Sequence, residues 1–222
     1  VISGTISMFR EGLIQTLSKE EQNKFIDNIY WKAKKLNQII SDILQASEID
    51  SEKLSFVPER IRTLGVVELV SQLVEEYLPQ AKAKGLQLNL VKPKKKISPI
   101  LSDEEFLRQA LSNLIDNAIK YTKDGQVDIL LDETAGRVMI KIKDTGIGIP
   151  ADDQGRMFGK FERAGNAKNM YTDGSGLGLF ITKQIIEAHQ DGTISFVSQE
   201  GRGSEFVISL AVCQPAKRSK NN

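Results

Sequence analysis

Between Phe25 and Leu44, apolar residues fall at Phe25, Ile26, Ile29, Leu36, Ile39, Ile40, Ile43 and Leu44, the three-and-four spacing of one long helical seam. Ser18, followed three residues later by Glu21, is a capping-box start for that helix. Ile2, Ile6, Phe9, Leu13 and Ile14 predict a helix before it, with the break near Leu17. Two helices cannot cover such seams alone, so the pattern predicts a hairpin that pairs with a second copy into a four-helix bundle. Trp31 is expected in its core or interface.

Beyond Pro58 the period changes. Val66, Val70, Leu73, Val74, Tyr77 and Ala81 predict a helix capped by Thr63, kinked at Pro79 and ended by Gly85. Leu86, Leu88 and Leu90 alternate as a strand, and the lysines around Pro93 read as a solvated hairpin tip. Leu107, Leu111, Leu114 and Ala118 form the buried stripe of a central helix. Val127, Ile129 and Leu131, then Val138, Ile140 and Ile142, alternate as two strands turning near Ala135. A helix over 176–189 precedes strands marked by Ile194 and Phe196, and by Phe206, Ile208 and Leu210. The expected fold class is α+β: a helical hairpin over 1–50, a linker over 51–57, a two-layer α/β sandwich over 58–212 with helices on one face of a mixed sheet, and a disordered tail over 213–222.

Composition narrows the function. Lys+Arg number 30 against 29 Asp+Glu in 222 residues, so bulk charge gives no grip on nucleic acid. No apolar run approaches the roughly 20 residues of a membrane helix. Cys213 is the only cysteine, which fits a reducing compartment. The first residue is valine, and the chain reads as a piece of a longer protein.

The candidate chemistry is polar and glycine-rich. Asn113 and Asn117, four apart on the central helix, share a face; amide oxygens suit magnesium, and Lys120 suits phosphate. Asp144 ends a strand before Thr145-Gly-Ile-Gly148, where a carboxylate can accept from an exocyclic amine and Gly146 and Gly148 allow close approach. Gly174-Ser-Gly-Leu-Gly178 opens a helix, whose free N–H groups attract phosphate. Residues 151–175 form a long polar loop that Phe158 and Phe161 are expected to anchor. His189, the only histidine, reads as scaffold at a helix end.

Asn113-Leu-Ile-Asp-Asn117, Asp144-Thr-Gly-Ile-Gly148, Met157-Phe-Gly-Lys-Phe-Glu-Arg163 and Gly174-Ser-Gly-Leu-Gly178 resemble, in order and spacing, the N, G1, F and G2 boxes of sensor histidine kinases, with Gly201 and Gly203 near the last strand. The resemblance implies ATP and Mg2+ as cofactors. It implies Asn117 as magnesium ligand with Asn113 assisting, and Asn113, Asn117 and Lys120 as the catalytic set. It places Tyr121 and Asp144 at the adenine, Asp144 accepting from its N6. Around the rest of the nucleotide it places Gly146, Gly148, Arg163, Gly174, Gly176, Leu177, Gly178 and Ser204. In related ATPases a glutamate stands where Asn113 stands and activates water; asparagine cannot act as that base, which disfavours a gyrase-like ATPase.

The resemblance further implies a cytoplasmic homodimer through residues 1–48, a response-regulator receiver domain as partner, and neither nucleic-acid nor membrane contact. It implies transfer of the γ-phosphate to a histidine absent from this chain, which is expected to be truncated just past its acceptor and so not to autophosphorylate. Two other readings stay open: a non-catalytic ATP-binding gating module, and an anti-sigma-type serine kinase.

Overall fold

The structure is a computed structural model that describes residues 18–51, 58–93, 95–171 and 174–213. The first hairpin helix, the linker from 52, the surroundings of Trp31 and the tail from 214 lie outside the described residues. The chain divides into two compact units between Ser47 and Glu48.

Helix α1 runs Lys19–Ser51 and starts on the expected capping box. The Ser18 N–H donates to Glu21 Oε2 at 2.9 Å and the Glu21 N–H donates to Ser18 Oγ at 3.3 Å. Ile26, Leu36, Ile40, Ile43 and Leu44 are about half exposed. Apolar side chains at positions 36, 40, 43 and 44 recur on one helical face, so this stripe is left facing solvent.

The second unit begins with a short 3-10 turn and strand β1 (Ile61–Leu64), then α2 (Val66–Ala83), β2 (Gln87–Val91), β3 (Ile100–Asp103), α3 (Glu104–Tyr121), β4 (Gln126–Thr134) and β5 (Arg137–Asp144). Two short helices, α4 (Ala151–Gln154) and α5 (Gly165–Met170), interrupt the loop expected to be irregular. The chain closes with α6 (Gly178–Glu187), β6 (Thr193–Gln199) and β7 (Gly203–Ala211). The main sheet has the order β2-β4-β5-β7-β6, parallel at β2–β4 and antiparallel elsewhere. Its inner face buries Val127, Ile129, Leu131, Val138, Ile140, Ile142, Ile208 and Leu210. Against that face α2 packs on β2, α3 on β5 and α6 on β6. This is the expected two-layer sandwich.

One local reading is corrected. Thr63 does not cap α2; it lies in β1, which pairs antiparallel with β3 in a separate two-stranded sheet, and Gly65 precedes the helix. Pro79 sits inside α2 without ending it. The helix stops at Lys84 and Gly85 in a Schellman turn, with the Leu86 N–H donating to Ala81 O and the Gly85 N–H to Lys82 O, both at 2.9 Å.

Helix α3 is fixed at both ends. At its start, Asp103 Oδ1 accepts from the Glu105 and Phe106 N–H groups at 3.0 and 3.4 Å, and Arg60 Nε stands 3.3 Å from the buried Oδ2. At its end, each of the last four carbonyls has a partner. Ala118 O accepts from the Thr122 N–H and hydroxyl, Ile119 O and Lys120 O accept from Lys84 Nζ at 2.7 and 2.9 Å, and Tyr121 O accepts from the Ile147 N–H at 3.1 Å.

His189 lies just past α6 and is buried. Its Nδ1 is 2.9 Å from Ile185 O, an acceptor only, so Nδ1 carries the proton and Nε2 accepts from the Ser102 hydroxyl at 2.9 Å. Burial pulls its pKa below 6.5, outweighing the backbone contacts that raise it. A histidine held neutral by the fold takes up its proton first in the unfolded chain, so it lowers stability as pH falls through 6.5. The melting temperature should therefore drop more between pH 7.5 and 5.5 for the wild type than for His189→Gln, measured by calorimetry in the same buffers; equal drops contradict this role.

Candidate functional site

Asp144 ends β5, the central strand of the five-stranded sheet, and is 7% exposed. Its Oδ1 accepts from the Gly146 N–H at 2.8 Å and the Ser204 N–H at 3.2 Å. Among the described residues Oδ2 has no hydrogen-bond partner. Burial raises the Asp144 pKa, and the two amide contacts oppose that rise. One oxygen is thus locked by the main chain and the other is left to accept from a ligand.

The loop after Asp144 is tied on every side. The Ile147 N–H reaches Tyr121 O at the end of α3. The Ile149 N–H donates to Ser198 Oγ at 2.8 Å, and Asn166 Nδ2, from α5, donates to Gly148 O at 3.0 Å. A side chain at Gly146 would place its Cβ 2.5 Å from Tyr121 O, and one at Gly148 would lie 2.0 Å from Gln199 O. These glycines therefore answer first to the protein's own backbone; ligand approach alone does not require them. Ser204 holds Asp144 through its main chain while its hydroxyl, 2.9 Å from Ser198 Oγ, points into the β6–β7 corner.

On α3, Asn113 Nδ2 donates to Gly178 O at 3.3 Å and lies 3.5 Å from Thr182 Oγ1, joining α3 to the first turn of α6. Asn117 is half-buried, and its amide has no hydrogen-bond partner among the described residues. Of the two, Asn117 offers the freer oxygen donor, and it fits a hard cation such as magnesium. Lys120 Nζ sits 5.1 Å from the Tyr121 ring centre and 5.2 Å from that of Tyr171, and the two rings meet edge to face at 5.9 Å. Tyr121 therefore packs on the loop residue Tyr171.

Helix α6 begins at Gly178, two residues later than its sequence pattern suggests. Leu177 is fully buried, so only its main chain faces the glycine run. At Gly176 (φ +71°) a Cβ would lie 2.6 Å from Phe161 C, whereas at Gly178 the nearest atom is Asn113 Cγ at an ordinary 3.6 Å. Packing demands the first glycine, whereas a Cβ at Gly178 would make only ordinary contact with the Asn113 amide. Gly174 lies beside the Arg163 guanidinium.

The loop before α6 is anchored by one phenylalanine. Phe158 packs on Phe196, which packs on Phe206, with ring centres 5.6 and 5.2 Å apart. Phe161 is 63% exposed with φ +60°, so it does not anchor the loop as its sequence suggested. Arg163 donates to Ala167 O at 3.3 Å and to Tyr171 O, closing the end of α5. Sequence reasoning missed Lys84, Asn166, Tyr171 and Ser198. Only Lys84 carried a signal, a lysine directly before the glycine that ends a helix.

Residues 102–214 match the family of histidine kinase-, DNA gyrase B- and HSP90-like ATPases, and residues 1–52 match the His Kinase A (phospho-acceptor) domain. The chain belongs to the sensor histidine kinase family. Sensor protein SrrB of Staphylococcus aureus is 35% identical over 180 residues, which cover 81% of this chain and 30% of SrrB. Full-length ShkA, solved in complex with AMPPNP, superposes with a TM-score of 0.72 at 25% identity over 98% of this chain and 47% of its own. Acinetobacter baumannii histidine kinase AdeS shares the fold, with a TM-score of 0.71 at 22% identity over 96% of this chain and 94% of its own. The chain thus spans about a third of the length of the curated relatives it matches. Among the described residues no helix is long and apolar enough to cross a membrane.

At Gly203 (φ +102°) a Cβ would lie 2.0 Å from Asp144 O, so Gly203→Ala must push β7 away from the carboxylate it holds. We expect a loss of more than about 1 kcal/mol in urea unfolding, against a near-neutral Gly155→Ala, where no atom lies within 4 Å.

Proposed function

We propose that the chain binds ATP with magnesium and transfers the γ-phosphoryl group to a histidine imidazole, which passes it to an aspartate of a response-regulator receiver domain. The observation that carries this reading is Asp144, a buried carboxylate with one oxygen locked by two amides and the other open. That oxygen accepts from the adenine N6 amine. Tyr121 borders the base, and Gly146, Gly148 and Ser204 shape the wall that keeps Asp144 in place.

At the other end, the first N–H groups of α6, beginning at Gly178, receive phosphate, with Gly174, Gly176 and the Leu177 main chain forming the approach. Lys120 adds a positive charge that phosphate competes for against two tyrosine rings. Asn117, with Asn113 beside it, holds magnesium, which neutralises phosphate charge when bound. Arg163 acts through the loop by closing α5 around Tyr171.

Transfer forms an N–P bond to imidazole and breaks the O–P bond to the departing ADP. Positioning and charge supply the rate. Asn113 lies against α6 and has no basic function at neutral pH, so the site lacks an activator for water and hydrolysis stays slow. His189 is buried, neutral and bonded at both nitrogens, so the acceptor is a histidine other than His189. The half-exposed stripe of Ile26, Leu36, Ile40, Ile43 and Leu44 supports homodimer formation through residues 1–48.

Titration calorimetry with Mg-ATP tests the pocket. The wild type should bind, and Asp144→Asn should bind at least about tenfold more weakly, since its NH2 would face the adenine amine. Its melting temperature should hold, because the Asn Oδ1 still accepts the two backbone N–H groups. Unchanged affinity in Asp144→Asn contradicts the assignment. With γ-labelled ATP, this chain alone should carry no acid-labile phosphate; such a label would overturn the exclusion of His189.

A further inference from the structure

We infer that Lys84 is a positioning residue for the nucleotide pocket, holding the end of α3 at the height that sets the Asp144 loop. The inference rests on the reading of that pocket as an adenine-nucleotide site. It also stands on geometry that needs no nucleotide.

Lys84 is the residue on which α2 ends, remote in sequence from every glycine-rich motif. Its ammonium reaches three carbonyls, Ile119 O, Lys120 O and Thr122 O, at 2.7, 2.9 and 2.9 Å, and the Tyr171 hydroxyl at 3.3 Å. The carbonyl end of a helix carries partial negative charge, and a cation there stabilises it most when partly buried. Here one ammonium serves two of the four terminal carbonyls of α3 and the first residue beyond them.

The next carbonyl in that series is Tyr121 O, which receives the Ile147 N–H. Ile147 follows Gly146, whose own N–H holds Asp144 Oδ1. The route from Lys84 to the carboxylate is therefore three hydrogen-bonded steps through main chain, with no flexible side chain after Lys84 itself. Tyr171 adds a second branch: its hydroxyl meets Lys84, its ring meets Tyr121 and Lys120, and its carbonyl meets Arg163. Lys84 thus touches both the floor of the pocket and the end of the loop over it.

Lys84→Met removes the donors and keeps the aliphatic stem; Lys84→Arg keeps charge and donors. Two readouts separate positioning from general support. Amide hydrogen exchange on the nucleotide-free chain should speed at Ile147, Gly146 and Thr122 in Lys84→Met, while amides in β5 and β7 stay as protected as in the wild type. Mg-ATP affinity should fall about tenfold, and Lys84→Arg should recover most of both effects. Unchanged exchange at Ile147, or a uniform rise across the sheet that follows a lower melting temperature, overturns the inference. The exchange arm decides the matter even if the wild type binds no ATP, a result that would count against the proposed function alone.

Discussion

The site depends on keeping a carboxylate in a place from which water is largely excluded. Removing an ion from water is costly unless its oxygens are occupied, and Asp144 is 7% exposed. The protein satisfies one oxygen with two backbone amides, Gly146 from the loop after β5 and Ser204 from the neighbouring strand β7. Both donors require a backbone so close that a Cβ at Gly146 or Gly203 would collide with it. The remaining oxygen keeps an unfilled demand for a donor, and on the proposed reading that demand is the basis of recognition.

Helix α3 carries this arrangement because its ends are closed by groups from elsewhere in the chain. Asp103 and Arg60 fix its start, and Lys84, Thr122 and Ile147 fix its finish. Its apolar stripe packs on the sheet while Asn113 grips α6, so α6 and the Asp144 loop share one support. The loop over the pocket is held by Phe158 at one end and by Arg163 and Tyr171 at the other. Phe161 lies between them, exposed and in a left-handed backbone conformation.

Much of the fold was legible because burial imposes a period. The capping box of Ser18 and Glu21, the stripe of α3 and the alternation in β4, β5 and β7 all repeat often enough to read. Strands β1 and β3 were missed because four residues pairing outside the main sheet show no alternation, and Thr63 then looked like a cap. Helices α4 and α5 have four and six residues, too few for a stripe. Asp144 and the glycines were legible as chemistry, but the glycines' close neighbours are set by tertiary contact. Lys84 carried only a faint signal for the same reason: a lysine at a helix end looks solvated until three carbonyls at the end of another helix converge on it. The two phenylalanines were equal in sequence, and only packing distinguishes anchored Phe158 from exposed Phe161.

The central claim is that the open oxygen of Asp144 selects a ring that presents an amine. Adenine offers N6–H2 donors where guanine offers the O6 acceptor. Calorimetric titration of the wild-type chain with Mg-ATP and, separately, with Mg-GTP tests this most directly. The account predicts that ATP binds and that GTP binds at least about tenfold more weakly, since two acceptors would then face each other in a buried place. Equal affinity for the two nucleotides would contradict it.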